Sequence, residues 1–192
     1  MRHGSCSPQT HHAATAPHSA VSELEVVRRC YAHPVNDDLQ SLWPDGELRE
    51  VGRAIYESIP VPRRPVWAVA ILDLCRSRHA PVPAVDSLCD IANDSRRWHE
   101  AHDAFTAVRL LGLACERGAS CSPEYSALLR VAELVAKVTY NASGSSAPFD
   151  FHCGWSLPHA VRQFARALND SEFDTAALKF LLHEAFPNDR NA

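Results

Sequence analysis

Residues 66–78, VWAVAILDLCRSR, place Trp67, Val69, Ile71, Leu72, Leu74 and Cys75 around every side of a helix, with Asp73 as the one acid among them. A helix without a polar face has to be enclosed by other elements, so this stretch predicts an α-helical core with residues 66–78 at its centre. The run Val66–Leu74 falls well short of the roughly 20 apolar residues of a membrane span. Pro60, Pro62 and Pro65 precede it as a stiff connector. Pro65 suits a first helical position, where a missing N–H costs nothing.

Helix signals recur on both sides of this stretch. Ser22-Glu23-Leu24-Glu25 is a capping box that opens a helix through Val27 to Tyr31, and Pro34 stops it. Asp45 caps a second helix with Leu48, Val51, Ile55 and Ile59 on one face. Beyond the central stretch, Pro81 and Pro83 restart the chain and Val85, Leu88, Cys89 and Ala92 line a short amphipathic helix. The next helix runs from Ser95 to a C-terminal glycine, Gly118. Ser122-Pro123-Glu124 then supplies an N-cap, an N1 proline and a first-turn acid. Tyr125, Leu128, Leu129, Ala132, Val135, Ala136 and Thr139 give that helix a wide buried face, leaving Glu133 and Lys137 as an i,i+4 pair on its polar side. Pro158 starts a helix with Val161, Phe164, Ala165 and Leu168 inward, and Ser171 with Asp174 starts the last, which Pro187 ends.

No segment alternates apolar and polar residues between turn signals as a half-buried strand would. The fold class is therefore all-α, with about seven or eight helices joined by short loops. Residues 68–75 (AVAILDLC) echo residues 107–114 (AVRLLGLA) at an offset of 39 positions. Helix-pair repeats of the HEAT type have periods of about 40 residues. Two arrangements fit this periodicity, a compact bundle and a stack of HEAT-like helix pairs. Residues 1–19, rich in Ser, Thr, Ala, Pro and His and without an acid, are predicted to form a disordered tail. Residues 20–187 form a single helical domain, and 188–192 a disordered C-terminal end.

Composition narrows the function classes. The chain has 192 residues, 46% of them hydrophobic, and a formal net charge of −4 without any clustered basic run. That balance argues against a nucleic-acid binder. The N-terminus carries no apolar secretory core and no stretch is long enough to span a membrane, so a soluble cytoplasmic protein is expected. Seven cysteines without a CxxC spacing, four of them (Cys30, Cys75, Cys89 and Cys115) inside helical patterns, predict reduced thiols packed as small hydrophobes.

The candidate chemistry lies on residues 98–115, WHEAHDAFTAVRLLGLAC. Trp98, Ala101, Phe105, Val108 and Gly112 share one face at helical spacing. His102 and Arg109 fall within that apolar arc, and His99 and Thr106 along its edge. Core-facing polar groups must be paired or must serve something. The expected structural solution is a buried Asp73–Arg109 ion pair with His102 hydrogen-bonded nearby; the functional alternative makes Arg109 an anion anchor. His99 and His102 at i and i+3, with His152 and Cys153, could ligate a metal. The chain has neither an H-E-x-x-H motif nor a second carboxylate-led copy, and no metal site is assigned.

The loop 141–154, NASGSSAPFDFHCG, starts as a flexible Gly/Ser stretch and ends too aromatic for a linker. Phe149, Phe151 and Trp155 around Asp150, His152 and Cys153 predict a segment that docks on the helices, as a plug at the bundle end or as a lid. Cys153 beside His152 and Asp150 lacks an orienting third group, and adjacent residues seldom face one another usefully, so no catalytic residue is assigned. Ligand-binding candidates are His99, His102, Arg109, Asp150, His152 and Trp155. No glycine-rich phosphate loop is present and no cofactor is implied.

These features predict a non-enzymatic helical module that binds a protein partner, through a groove between helix pairs. The rival is a small-molecule or metal-dependent site built on the polar stripe and the 149–155 loop. Geometry separates them. A pocket where His99, His102, Arg109, Asp150 and His152 converge favours the rival; satisfied, separated groups favour the module.

Overall fold

The computed structural model describes residues 45–118, 120–145 and 147–185. The expected tail over 1–19, the helix over 22–31, the stop at Pro187 and the end over 188–192 lie outside them. Among the described residues 82% are helical and none is in a strand, so the protein is all-α. Within the described residues seven α-helices follow one another: α1 (Asp45–Ser58), α2 (Arg64–Arg76), α3 (Pro83–Asn93), α4 (Ala101–Glu116), α5 (Pro123–Ala142), α6 (Leu157–Leu168) and α7 (Ser171–Ala185). Short 3-10 segments at Val61–Arg63, Ser95–Glu100 and Phe151–Ser156 join some of them.

The local signals that open these helices have visible causes. Ser122 Oγ accepts from Tyr125 N at 3.2 Å, with Pro123 in the first turn of α5. Helix α7 begins at Ser171, but its cap is Asp170, whose carboxylate accepts from Phe173 N at 2.8 Å. Between α6 and α7, Asn169 takes the left-handed conformation (φ 53°) that a short polar side chain tolerates. The helix expected from Ser95 to Gly118 is divided: Ser95–Glu100 winds as a 3-10 segment capped by Asp94, and α4 proper starts at Ala101.

The enclosed helix is α5 rather than α2, which corrects the reading of residues 66–78. Leu128, Leu129, Val131, Ala132, Glu133, Leu134, Val135, Ala136, Val138 and Thr139 are all buried, covering every side of α5. Around it stand α2, α3, α4 and α6. Helix α2 is a wall of the bundle. Trp67, Ala68, Ile71, Leu72 and Cys75 face inward, while Val66 is 56% exposed and Asp73 and Arg76 lie on the wet side. One acid and one arginine are enough to give that side to water.

This arrangement is the compact bundle. In a stacked solenoid each repeat touches only its neighbours, whereas α1 packs directly on α6 and α7, at the other end of the helix order. The two echoed segments therefore share composition and not position: residues 68–75 are mostly buried, residues 107–114 mostly are not.

The anticipated Asp73–Arg109 pair does not form. Asp73 pairs with Arg76 at 3.0 Å, and Arg76 also reaches Asp86 at 2.8 Å, all near the surface. Arg109 turns to Glu116 and Glu133. Among the described residues, the ion pair with both side chains buried is Arg162–Asp174, between α6 and α7, at 3.5 Å. On the same two helices Phe164 and Phe173, both fully buried, meet edge to face at 5.6 Å.

The cysteine expectation holds for Cys75, Cys89 and Cys153, which are buried free thiols. It fails for Cys115, which is disulfide-bonded to Cys121, and Cys30 lies outside the described residues. The turn between α4 and α5, through Gly118 at φ 96°, brings their Cα atoms to 5.5 Å, within bridging range. So short a loop limits the entropic gain to about 2 kcal/mol. Among the described residues no helix is long and apolar enough to cross a membrane.

Candidate functional site

The densest polar cluster sits between α4 and α5, around Glu133. Its side chain is only 8% exposed, yet three cations reach its carboxylate. Arg130 approaches to 2.9 Å, Lys137 to 3.0 Å and Arg109, from α4, to 3.7 Å. Arg109 also contacts Glu116 at 3.2 Å. Burial works against ionisation of Glu133. The Lys137 hydrogen bond and the Arg130 charge outweigh it and hold the carboxyl below its ordinary value of 4.5.

A depressed folded-state pKa contributes stability that is complete above the unfolded pKa and lost as pH falls through the folded one. Glu133→Gln is therefore expected to be less stable than the native chain at pH 7, with the gap closing as pH drops below about 4. Urea denaturation of both proteins across that range checks this; a pH-independent gap would contradict it.

Beside the cluster, Arg109, Gly112, Cys115, Leu129, Arg130 and Glu133 line a pocket of about 190 Å³. It is open to solvent at one side, and its charged groups already engage one another.

One turn along α5, Lys137 leads from Glu133 into an aromatic group. Its Nζ lies 5.2 Å from the centre of the Phe105 ring and 5.9 Å from that of Phe149. His102 stacks on Phe149 at 5.7 Å and 12°, and lies 5.3 Å from Tyr140. Asn141 clamps the backbone of Phe149: its Oδ1 accepts from Phe149 N at 2.8 Å, and its Nδ2 donates to Phe149 O at 3.3 Å. Ser145 donates to the Tyr140 hydroxyl at 2.6 Å.

The second half of the loop plugs the bundle end, against α1 and α5. Gly154 lies so close to the Tyr56 ring that a Cβ there would stand 2.2 Å from it. Cys153 is buried beneath, and burial pushes its thiol pKa up to about 11. At neutral pH it is a packed thiol and not a thiolate nucleophile.

The six candidate residues separate into four places. His102 joins the loop through Phe149, and Arg109 is tied to the same neighbourhood through Glu133 and Lys137. Asp150 caps the Phe151–Ser156 segment by accepting from His152 N at 2.9 Å. His152 lies against Trp155 at 3.9 Å between ring centres, with the Arg53 guanidinium 5.6 Å from the indole. His99 is exposed on the Ser95–Glu100 segment. Among the described residues, no hydrogen bond, ion pair or ring contact joins His102 or Arg109 to His152 or His99. Nor does any group of three His, Cys, Asp or Glu side chains come together to hold a metal.

The node the sequence reading missed is Glu133 with Lys137. Their spacing is legible, but an i,i+4 pair on an otherwise apolar helix predicts its polar, solvated side. Val131, Leu134 and Val138, apolar on the remaining sides, were the available sign that α5 is covered all round. No family model matches this chain, and no curated protein or solved structure matches it either.

Proposed function

We propose that the chain is a non-enzymatic helical module that binds a protein partner. The observation that carries this reading is the outer face of α4. Only Ala101, Ala104 and Val108 of its 16 residues are buried. Ala107, Leu110 and Ala114 are exposed, Leu110 at 62%, and Leu113 is partly so. Together these side chains make an apolar strip on the solvent side of a well-formed helix, the kind of face a partner helix packs against. The side chains with chemical potential favour the same reading, since Arg109, Glu133, Lys137 and His102 contact one another or the loop.

The test is capture from the source cells with the native chain and with Leu110→Glu. A stoichiometric partner retained by the native chain and lost by the variant supports the reading. Absence of a partner, or one indifferent to the substitution, overturns it.

A further inference from the structure

We infer that the partner of the α4 face is a second copy of this chain, paired antiparallel about Leu110. The inference rests on the reading of that face as a docking surface. At 100° per residue, Asp103, Leu110 and Arg117 follow one line along the helix, seven residues apart. Thr106, Ala107, Leu113 and Ala114 flank that line. A two-fold axis through Leu110 sets Asp103 of one copy against Arg117 of the other, and does so twice. The same axis sets Ala107 against Ala114 and Thr106 against Leu113. The interface is self-complementary, as an isologous dimer requires.

The charges support this pairing over others. The Asp103 side chain is 96% exposed, with only His102 near it at 3.9 Å. Arg117 is exposed at the other end of α4, and Gly118 turns the chain away directly after it. An acid at the N-terminus and a base at the C-terminus also match each helix dipole. A parallel pairing would set acid on acid and base on base. The small residues beside Leu110 allow the axes to approach to about 8–10 Å. A single helix pair buries less than the roughly 1,200 Å² of a stable complex, so the expected dimer is weak, with a micromolar dissociation constant.

Sedimentation of the purified full chain, from low micromolar to near-millimolar concentration, tests this. The native chain is expected to shift from one copy to two. Asp103→Arg and Arg117→Asp should each weaken association by at least about tenfold, since each replaces two attractive contacts by two repulsive ones. The double variant, with both charges exchanged, should recover it, while circular dichroism shows that all variants stay folded. A native chain that remains monomeric, or a dimer indifferent to the exchanges, overturns the pairing. If the chain is monomeric yet captures a Leu110-dependent partner from cells, self-pairing falls and the interaction reading stands. If it is monomeric and captures none, both fall.

Discussion

Arg162→Leu, with Asp174 kept, is expected to cost about 3–5 kcal/mol of folding stability, the range for removing one member of a buried ion pair. The two side chains are 5% and 6% exposed and approach to 3.5 Å where α6 meets α7. Leucine fills part of the space left by arginine. It cannot replace the guanidinium opposite the buried Asp174 carboxylate. Changing both residues to leucine removes both charges of the pair together, so the double variant should regain most of the loss. Urea titrations of the two single variants and the double one give the coupling directly. Equal losses in Arg162→Leu and in the double variant would show that the charges do not depend on each other.

Gly52→Ala carries the next largest effect. A Cβ on Gly52 would stand 2.2 Å from the backbone oxygen of Trp155 and 3.2 Å from Pro158. The obstacle is backbone, so α1 has to move away from the Phe151–Ser156 segment. Overpacking of this kind costs about 1–3 kcal/mol, and a backbone clash belongs at the upper end. Gly112→Ala supplies the contrast. It lies within α4 with nothing within 4 Å of its would-be Cβ, and alanine there should stabilise by up to about 1 kcal/mol through helix propensity. Thermal melting should therefore move in opposite directions for the two substitutions. A shift of the same sign in both would remove the close-approach explanation.

Local signals were legible where a side chain acts on its own backbone. Ser122 and Pro123 open α5 as read, and Gly118 follows α4 as read. That the aromatic half of the 141–155 loop docks on the helices was legible too, because Phe149 and Trp155 have no reason to stay in water, but the sequence does not distinguish a plug from a lid. What could not be read is which helix is enclosed. Periodicity reports the apolar share of a helix surface, and residues 66–78 have a larger share than residues 123–142. Enclosure depends on neighbours, and α5 receives four, including one that covers Glu133.

The ion pairs failed for a related reason. Asp174 in a first turn and Arg162 on a strongly amphipathic helix each have an ordinary local explanation, which hid their pairing across α6 and α7. Asp73 looked buried only because its surroundings in sequence are apolar. Of the candidate site, His102 with the Phe149 loop was within reach. The core-facing placement expected of Arg109 and His102 does not hold: their side chains are 39% and 53% exposed, and Arg109 meets Glu116 and Glu133 rather than Asp73.

The enclosure of α5 also sets how the molecule breathes. Peripheral helices can fray singly, but the amide protons in the middle of α5 meet solvent only when the surrounding shell comes apart as a whole. Their deuterium uptake should then report the opening of the entire domain, and every destabilising substitution above, wherever it lies, should speed it in proportion.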